Sequence, residues 1–284
     1  MPVETSLTRS VLYIPASKER ALEKARGLET DAIIFDLEDA VAPDEKETAR
    51  AVLRKALTQG GYGSRLRIVR INGAETEWGK ADIEALKTMD FDAVLLPKVE
   101  NAADISNVNF ALPDIPVWAM IETPKGILNA EEIAAHPALE GFVMGTNDLA
   151  KELRCRFRAD RLPLMGALQS ALLAARAHGV IAIDGVYNAF KDDAGLALEC
   201  EQGRDLGFDG KTLIHPAQLA TANRVFSPSA AEVDLANRQI EAYETAEAVG
   251  QGVAVVDGKI VENLHVVTAR QIISQAKAIA EAQE

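Results

Sequence analysis

Short apolar runs alternate with amphipathic stretches along most of the chain. The runs fall at 10–15, 32–37, 66–71, 93–97, 117–122, 141–144, 180–184 and 211–215. They are continuous and do not alternate apolar with polar, the pattern of strands buried on both faces of a parallel sheet. The stretches after them carry helical periodicity, for example at 18–28, 80–88 and 164–178. Eight strand–helix units in about 220 residues predict a (β/α)8 TIM barrel, in the α/β class, over residues 1–226. No Gly-x-Gly-x-x-Gly follows the first run, which argues against a dinucleotide-binding sheet.

The pattern changes after Phe226. Ser229 and Glu232 form a capping-box signature that opens a helix running to about residue 249. Two apolar arms around Asp257-Gly258 then predict a β-hairpin over 252–262. A last helical segment covers 268–282. Residues 227–284 therefore read as a helix–β-hairpin–helix extension appended to the barrel.

Charge and cysteine usage narrow the setting. A net charge of −13 argues against nonspecific binding to nucleic acid or an anionic membrane. No apolar stretch is long enough to span a bilayer. Met1 to Arg9 lacks the apolar run of a secretory signal. Cys155 and Cys200 are the two cysteines, and neither lies in a CxxC or at ligand spacing from histidine, so a reduced, cytoplasmic setting is expected.

Candidate chemistry collects where the barrel places it, at the C-terminal ends of the strands. Asp36, Glu38 and Asp39 end the second run, Arg70 and Asn72 the third, Lys98 the fourth. Glu122 ends the fifth and Asn147-Asp148 follow the sixth; Asp184 and His215 end the seventh and eighth. Singly, each has a plain structural use: acids cap helices, Arg70 pairs with the acids of the second run, His215 bonds to backbone. Together, so many like charges need a cation or ligand to offset them. Glu122 and Asp148, on neighbouring strands with no histidine or cysteine nearby, suit a hard cation such as Mg2+. Backbone N–H groups around Gly145, Thr146, Asn147 and Asp148 could take the carboxylate of a metal-chelated 2-hydroxy or 2-keto acid. Lys18, Arg20 and Lys24 crowd the first helix and read equally as a solvated face or a phosphate grip.

These residues fall in an ordered set of motifs. They are Arg9-Ser-Val-Leu-Tyr-Ile-Pro-Ala, the Phe35–Val41 block with Lys46 and Arg50 after it, Arg67-Ile-Val-Arg-Ile-Asn72 and Leu96-Pro-Lys98. Ile121-Glu-Thr, Gly145-Thr-Asn-Asp-Leu, Val186-Tyr-Asn-Ala-Phe190, Gly210-Lys-Thr-Leu-Ile-His-Pro216 and the 252–262 hairpin complete it. In this the chain resembles the citrate lyase beta subunit and malyl-CoA lyase group of the HpcH/HpaI aldolases, most closely its (3S)-malyl-CoA thioesterase branch. The resemblance implies Glu122 and Asp148 as ligands of Mg2+, with Mn2+ the alternative. It implies that Arg70 polarises a thioester carbonyl and stabilises its oxyanion, with Glu38 and Asp39 orienting Arg70 and the metal's water from behind. Arg20 and Lys24 would hold coenzyme A phosphates. Asp257 would act as acid/base in the active site of a neighbouring subunit, capped by the 227–284 extension, within a trimer or hexamer.

The reaction so implied is hydrolysis of (3S)-malyl-CoA, the thioester of a small hydroxy acid, to malate and coenzyme A. The same groups would serve retro-aldol cleavage by a malyl- or citramalyl-CoA lyase. A carrier-dependent subunit, as the citrate lyase beta chain is, forms a third expectation. The complete Glu122, Asp148 and Arg70 set argues against a chain without catalysis.

Overall fold

The computed structural model describes residues 7–282, which form two compact units, Thr8–Phe226 and a second beginning at Ser227. The expectation drawn from Met1 to Arg9 lies largely outside the described residues. Among the described residues, no helix is long and apolar enough to cross a membrane.

The first unit is a closed barrel of eight parallel strands in sequence order. They are β1 (Ser10–Pro15), β2 (Ala32–Asp36), β3 (Leu66–Arg70), β4 (Ala93–Leu96), β5 (Val117–Ile121), β6 (Leu139–Met144), β7 (Ile181–Asp184) and β8 (Gly210–Leu213). Helices or short helical segments connect each strand to the next. Strand side chains alternate between two apolar layers. Val11, Ile34, Ile68, Leu95, Trp118 and Val143 fill the barrel interior. Leu12, Phe35, Val69, Val94, Ala119 and Phe142 face the surrounding helices.

This period of two decides where each strand-end charge lies. Asp36 follows Ala32 and Ile34, Arg70 follows Ile68, and Glu122 follows Trp118 and Met120, so all three continue the inward row. Asp184 follows Ala182 in the outward row and meets the helices instead.

Strand ends differ from the sequence reading by one or two residues. Pairing in β5 stops at Ile121, which leaves Glu122 just beyond the ladder. β6 begins at Leu139, because exposed Glu140, which accepts from the Trp118 indole (2.8 Å), interrupts the apolar pattern. β8 ends at Leu213, so His215 lies outside it and opens the short 3-10 turn Pro216–Gln218.

The second unit holds helices Ala230–Ala248 and Asn263–Glu281 and the antiparallel hairpin β9 (Ala254–Val256) and β10 (Lys259–Val261). Its core is small: Ala246, Ala254, Val261 and Val266, with Ile240 and Tyr243 against them. Ser229 and Glu232 make the capping box. The last helix starts at Asn263 and not at 268, because Glu262 and His265 cap it, a pair outside the usual Ser/Thr/Asp/Asn signature. Asp257 (φ +50°) and Gly258 (φ +75°) both occupy the left-handed region, as a two-residue type I′ hairpin turn requires.

Candidate active site

The barrel mouth is built first from β2 and β3, where register places Asp36 beside Arg70. Arg70 Nε and Nη2 donate to the two Asp36 oxygens at 2.8 and 2.6 Å, a bidentate pair with both side chains buried. Backbone N–H groups of Glu38 (2.9 Å) and Ala40 (3.1 Å) complete the Asp36 carboxylate and fix the turn after β2. Arg70 Nη1 is directed elsewhere: it lies 2.9 Å from Glu38 Oε2 and 3.5 Å from the Met120 sulfur. The guanidinium also sits over the Tyr13 ring, 4.9 Å from its centroid.

A buried network holds this turn from behind. Lys46 Nζ donates to the Leu37 and Glu38 carbonyls and to Asn72 Oδ1, at 2.9, 2.7 and 2.7 Å. Asn72 donates to Asp82 through both its backbone N–H (2.9 Å) and its side chain (2.7 Å), and Asp82 pairs with Arg50 (3.0 Å). Sequence reading placed Lys46 and Arg50 in a motif; the structure shows them as the brace that sets Glu38.

The other half of the mouth comes from β4, β5 and β6. Glu122 is 2 % exposed, and its Oε1 accepts from the Lys98 backbone N–H at 2.8 Å. Among the described residues no other donor bonds this carboxylate. Burial pushes the Glu122 carboxyl up to about 7; the Lys98 hydrogen bond opposes that rise, and the charges of Glu38 and Asp148 add to it. Gly145 makes the approach of β6 feasible, since a Cβ there would lie 2.3 Å from both Glu122 Cβ and Oε2. Asp148 stands in the first turn of the helix Thr146–Glu152, half-buried, and no donor among the described residues bonds it. The first backbone bond of this turn is Leu149 N–H to the Gly145 carbonyl (3.0 Å), so the N–H groups of 146–148 precede it.

The donor chemistry fits a hard divalent cation. Glu122 and Asp148 offer oxygen only, and their mutual repulsion is felt in the raised Glu122 carboxyl. Among the described residues no group of three or more His, Cys, Asp or Glu side chains is arranged to hold a metal. Two protein carboxylates leave several positions for water and ligand, the arrangement Mg2+ favours over an all-protein cage.

The remaining candidates divide. Thr146 is buried, and Asn147 exchanges two amide hydrogen bonds with Asn188 (2.8 and 3.3 Å) across the loops after β6 and β7. Arg20 and Lys24 are exposed on the helix Glu19–Ala25 with no ion pair among the described residues, and Arg20 lines a 380 Å³ cavity with Arg26 and Lys55. Asp39 is exposed and makes no contact with Arg70; of the second-run acids expected to pair with Arg70, Asp36 is the one that grips it through both oxygens. The parity of β2 was the available signal for Asp36. His215 takes the structural use foreseen for it, its ring accepting from Ala217 N–H at 3.1 Å. In the second unit, both Asp257 oxygens accept from Arg238 Nη1 at 2.8 Å.

Asp184 belongs to a different structure. It is fully buried between barrel and helices, held by Arg161 Nη1 (2.7 Å to each oxygen) and Lys211 Nζ (3.0 Å), and Lys211 also bonds Glu199 (2.8 Å).

Residues 9–216 match the model of the HpcH/HpaI aldolase/citrate lyase family. The chain is 68 % identical over 272 residues to a (3S)-malyl-CoA thioesterase of Cereibacter sphaeroides (strain ATCC 17029 / ATH 2.4.9), covering 96 % of this chain and 95 % of that protein. It is 36 % identical over 286 residues to the citrate lyase subunit beta of Escherichia coli (strain K12), with 96 % and 95 % covered. Among solved structures it superposes on CitE from Mycobacterium tuberculosis, crystallised with magnesium, acetoacetate and coenzyme A. The TM-score is 0.82 and the identity 30 %, covering 97 % of this chain and all of that one.

Proposed function

The chain belongs to the HpcH/HpaI aldolase/citrate lyase family, and from that premise we propose that it hydrolyses (3S)-malyl-CoA to malate and coenzyme A at the barrel mouth. The near full-length likeness to a (3S)-malyl-CoA thioesterase carries this reading, because hydrolysis and carbon–carbon cleavage would use the same mouth residues.

Glu122 and Asp148 hold Mg2+, or Mn2+, which when bound supplies Lewis-acid positions for the substrate's hydroxyl and carboxylate. The 146–148 backbone N–H groups take up the same carboxylate, with Gly145 keeping the backbone close and Thr146 and Asn147 fixing the loop. Asp36 immobilises Arg70 so that Nη1 is aimed at the thioester oxygen, and Glu38 steadies that nitrogen. Asp257 of a neighbouring copy removes a proton from water as the water's oxygen bonds to the thioester carbon. The oxyanion formed is stabilised by Arg70; it collapses, the carbon–sulfur bond breaks, and the coenzyme A sulfur leaves with the proton returned by Asp257. Arg20 and Lys24 hold the coenzyme A phosphates.

A homo-oligomer, trimer or hexamer, fits the second unit's surface. Val255 and Ile260 oppose each other across the hairpin yet are 66 % and 63 % exposed, and Leu264 (61 %) adds to the apolar surface. A reduced, cytoplasmic setting fits the two free cysteines; burial pushes the Cys200 thiol up to about 12 and leaves it inert.

The test is product analysis after incubating the purified protein with (3S)-malyl-CoA and Mg2+. Free coenzyme A and malate are expected. Acetyl-CoA and glyoxylate would overturn hydrolysis and establish a lyase.

A further inference from the structure

Lys98, in the turn just after β4, has a left-handed backbone, φ +50°, which is uncommon for a residue with a side chain and tends to persist only where the surroundings enforce it. Its backbone N–H donates to Glu122 Oε1 (2.8 Å). The ammonium lies 3.9 Å from Glu38 Oε1, with half of the side chain exposed. Burial alone would lower its pKa, but the charges of Glu122, Glu38, Asp148 and Asp39 outweigh burial and raise it. One residue thus anchors the Glu122 carboxylate through its backbone and brings its ammonium to within 3.9 Å of Glu38 through its side chain. The hydrolysis described above does not use it.

We propose that Lys98 is the resident counter-cation of the mouth: its ammonium offsets Glu38, Glu122 and Asp148 when no metal is bound and competes with the divalent cation for them, so that it sets metal affinity. The proposal rests on the reading that Glu122 and Asp148 hold the cation. A single positive charge this near a divalent one, at the edge of the protein where solvent screens in part, weakens binding by roughly tenfold. The metal therefore stays exchangeable although the site carries a surplus of negative charge. A second consequence concerns the metal-free protein, in which the carboxylates repel one another least while the ammonium is present.

Calorimetric titration of the metal-free protein with Mg2+ tests this, using Lys98→Asn, Lys98→Arg and Asp148→Asn. Asparagine tolerates the left-handed backbone and keeps the N–H to Glu122 while removing the charge; Lys98→Gln serves should Lys98→Asn fail to fold. The neutral variant is expected to bind Mg2+ about tenfold more tightly, and its metal-free form to melt at a lower temperature. Lys98→Arg keeps the charge and is expected to bind within about twofold of the parent. Unchanged or weaker binding by the neutral variant overturns the proposal. If Asp148→Asn loses Mg2+ binding while the neutral Lys98 variant is unchanged, the counter-cation role alone fails. If Asp148→Asn binds Mg2+ as the parent does, the metal assignment fails and the counter-cation role with it.

Discussion

Two regions of the barrel bury acids and bases at strand ends, and they are opposites in charge balance. Behind β7 and β8, Asp184 and Glu199 face Arg161 and Lys211, two acids against two bases, with Asp184, Arg161 and Lys211 sealed between sheet and helices. At the mouth, Asp36, Glu38, Glu122 and Asp148 face Arg70 and Lys98, a surplus of acid on the side where substrate enters. A balanced, desolvated cluster is finished by folding. An unbalanced one has charge to spare for a cation, and the Glu122 carboxyl is pushed up to about 7, by burial first and by its acidic neighbours after that.

Breaking the sealed cluster has the largest expected effect on the fold. Lys211→Met leaves Asp184 and Arg161 with an uncompensated balance in a dry layer, and a loss of about 3–5 kcal/mol is expected in urea denaturation, with kcat per folded molecule preserved. Its pH dependence is specific. Burial alone would raise the Asp184 carboxyl, but Lys211 and Arg161 hold it below the usual range, so its contribution is lost as acid titrates it. Burial alone would lower Lys211, but Asp184 and Glu199 hold it above the usual range, so its contribution is lost only as alkali titrates it. The stability difference between parent and variant is therefore flat between about pH 5 and 9.

Breaking the mouth moves catalysis instead. Arg70→Lys keeps a charge but cannot span both Asp36 oxygens and still reach forward, and kcat is expected to fall about 10²–10³-fold at saturating Mg2+. A steady-state assay following free thiol checks this, and a kcat within a factor of about three would deny Arg70 the oxyanion. The smallest effect is expected for Asp39→Asn, because the side chain is exposed and bonds nothing at the mouth. Its kcat/KM should stay within about threefold of the parent. A large loss would restore Asp39 to the role the sequence motif suggests.

Much of this contrast can be read in the residue pattern. The apolar runs locate all eight strands because parallel barrel strands are buried on both faces, and the offset of a residue or two at their ends follows from where pairing stops. Counting parity along each run also separates Asp36, Arg70 and Glu122, which face the interior, from Asp184, which does not. Other features have no local signature. Lys46 looks like any lysine at a helix start, and its burial depends on carbonyls of the turn after β2 and on Asn72, 26 residues away. The left-handed backbone at Lys98, whose N–H donates to Glu122 24 residues away, has no turn residue such as glycine or asparagine to announce it. The pairing of Asp257 with Arg238 spans 19 residues and exists only once hairpin and helix have met.

The central claim, that the unbalanced mouth is a metal site, is tested most directly by thermal denaturation of the parent and of Asp148→Asn across a Mg2+ series. A cation that binds the folded chain stabilises it by about 2.7 kcal/mol at a hundred times its dissociation constant. The melting temperature of the parent should rise with Mg2+, while that of Asp148→Asn, unchanged in fold, should not. Equal upward shifts in both proteins, or none in the parent, would contradict the account.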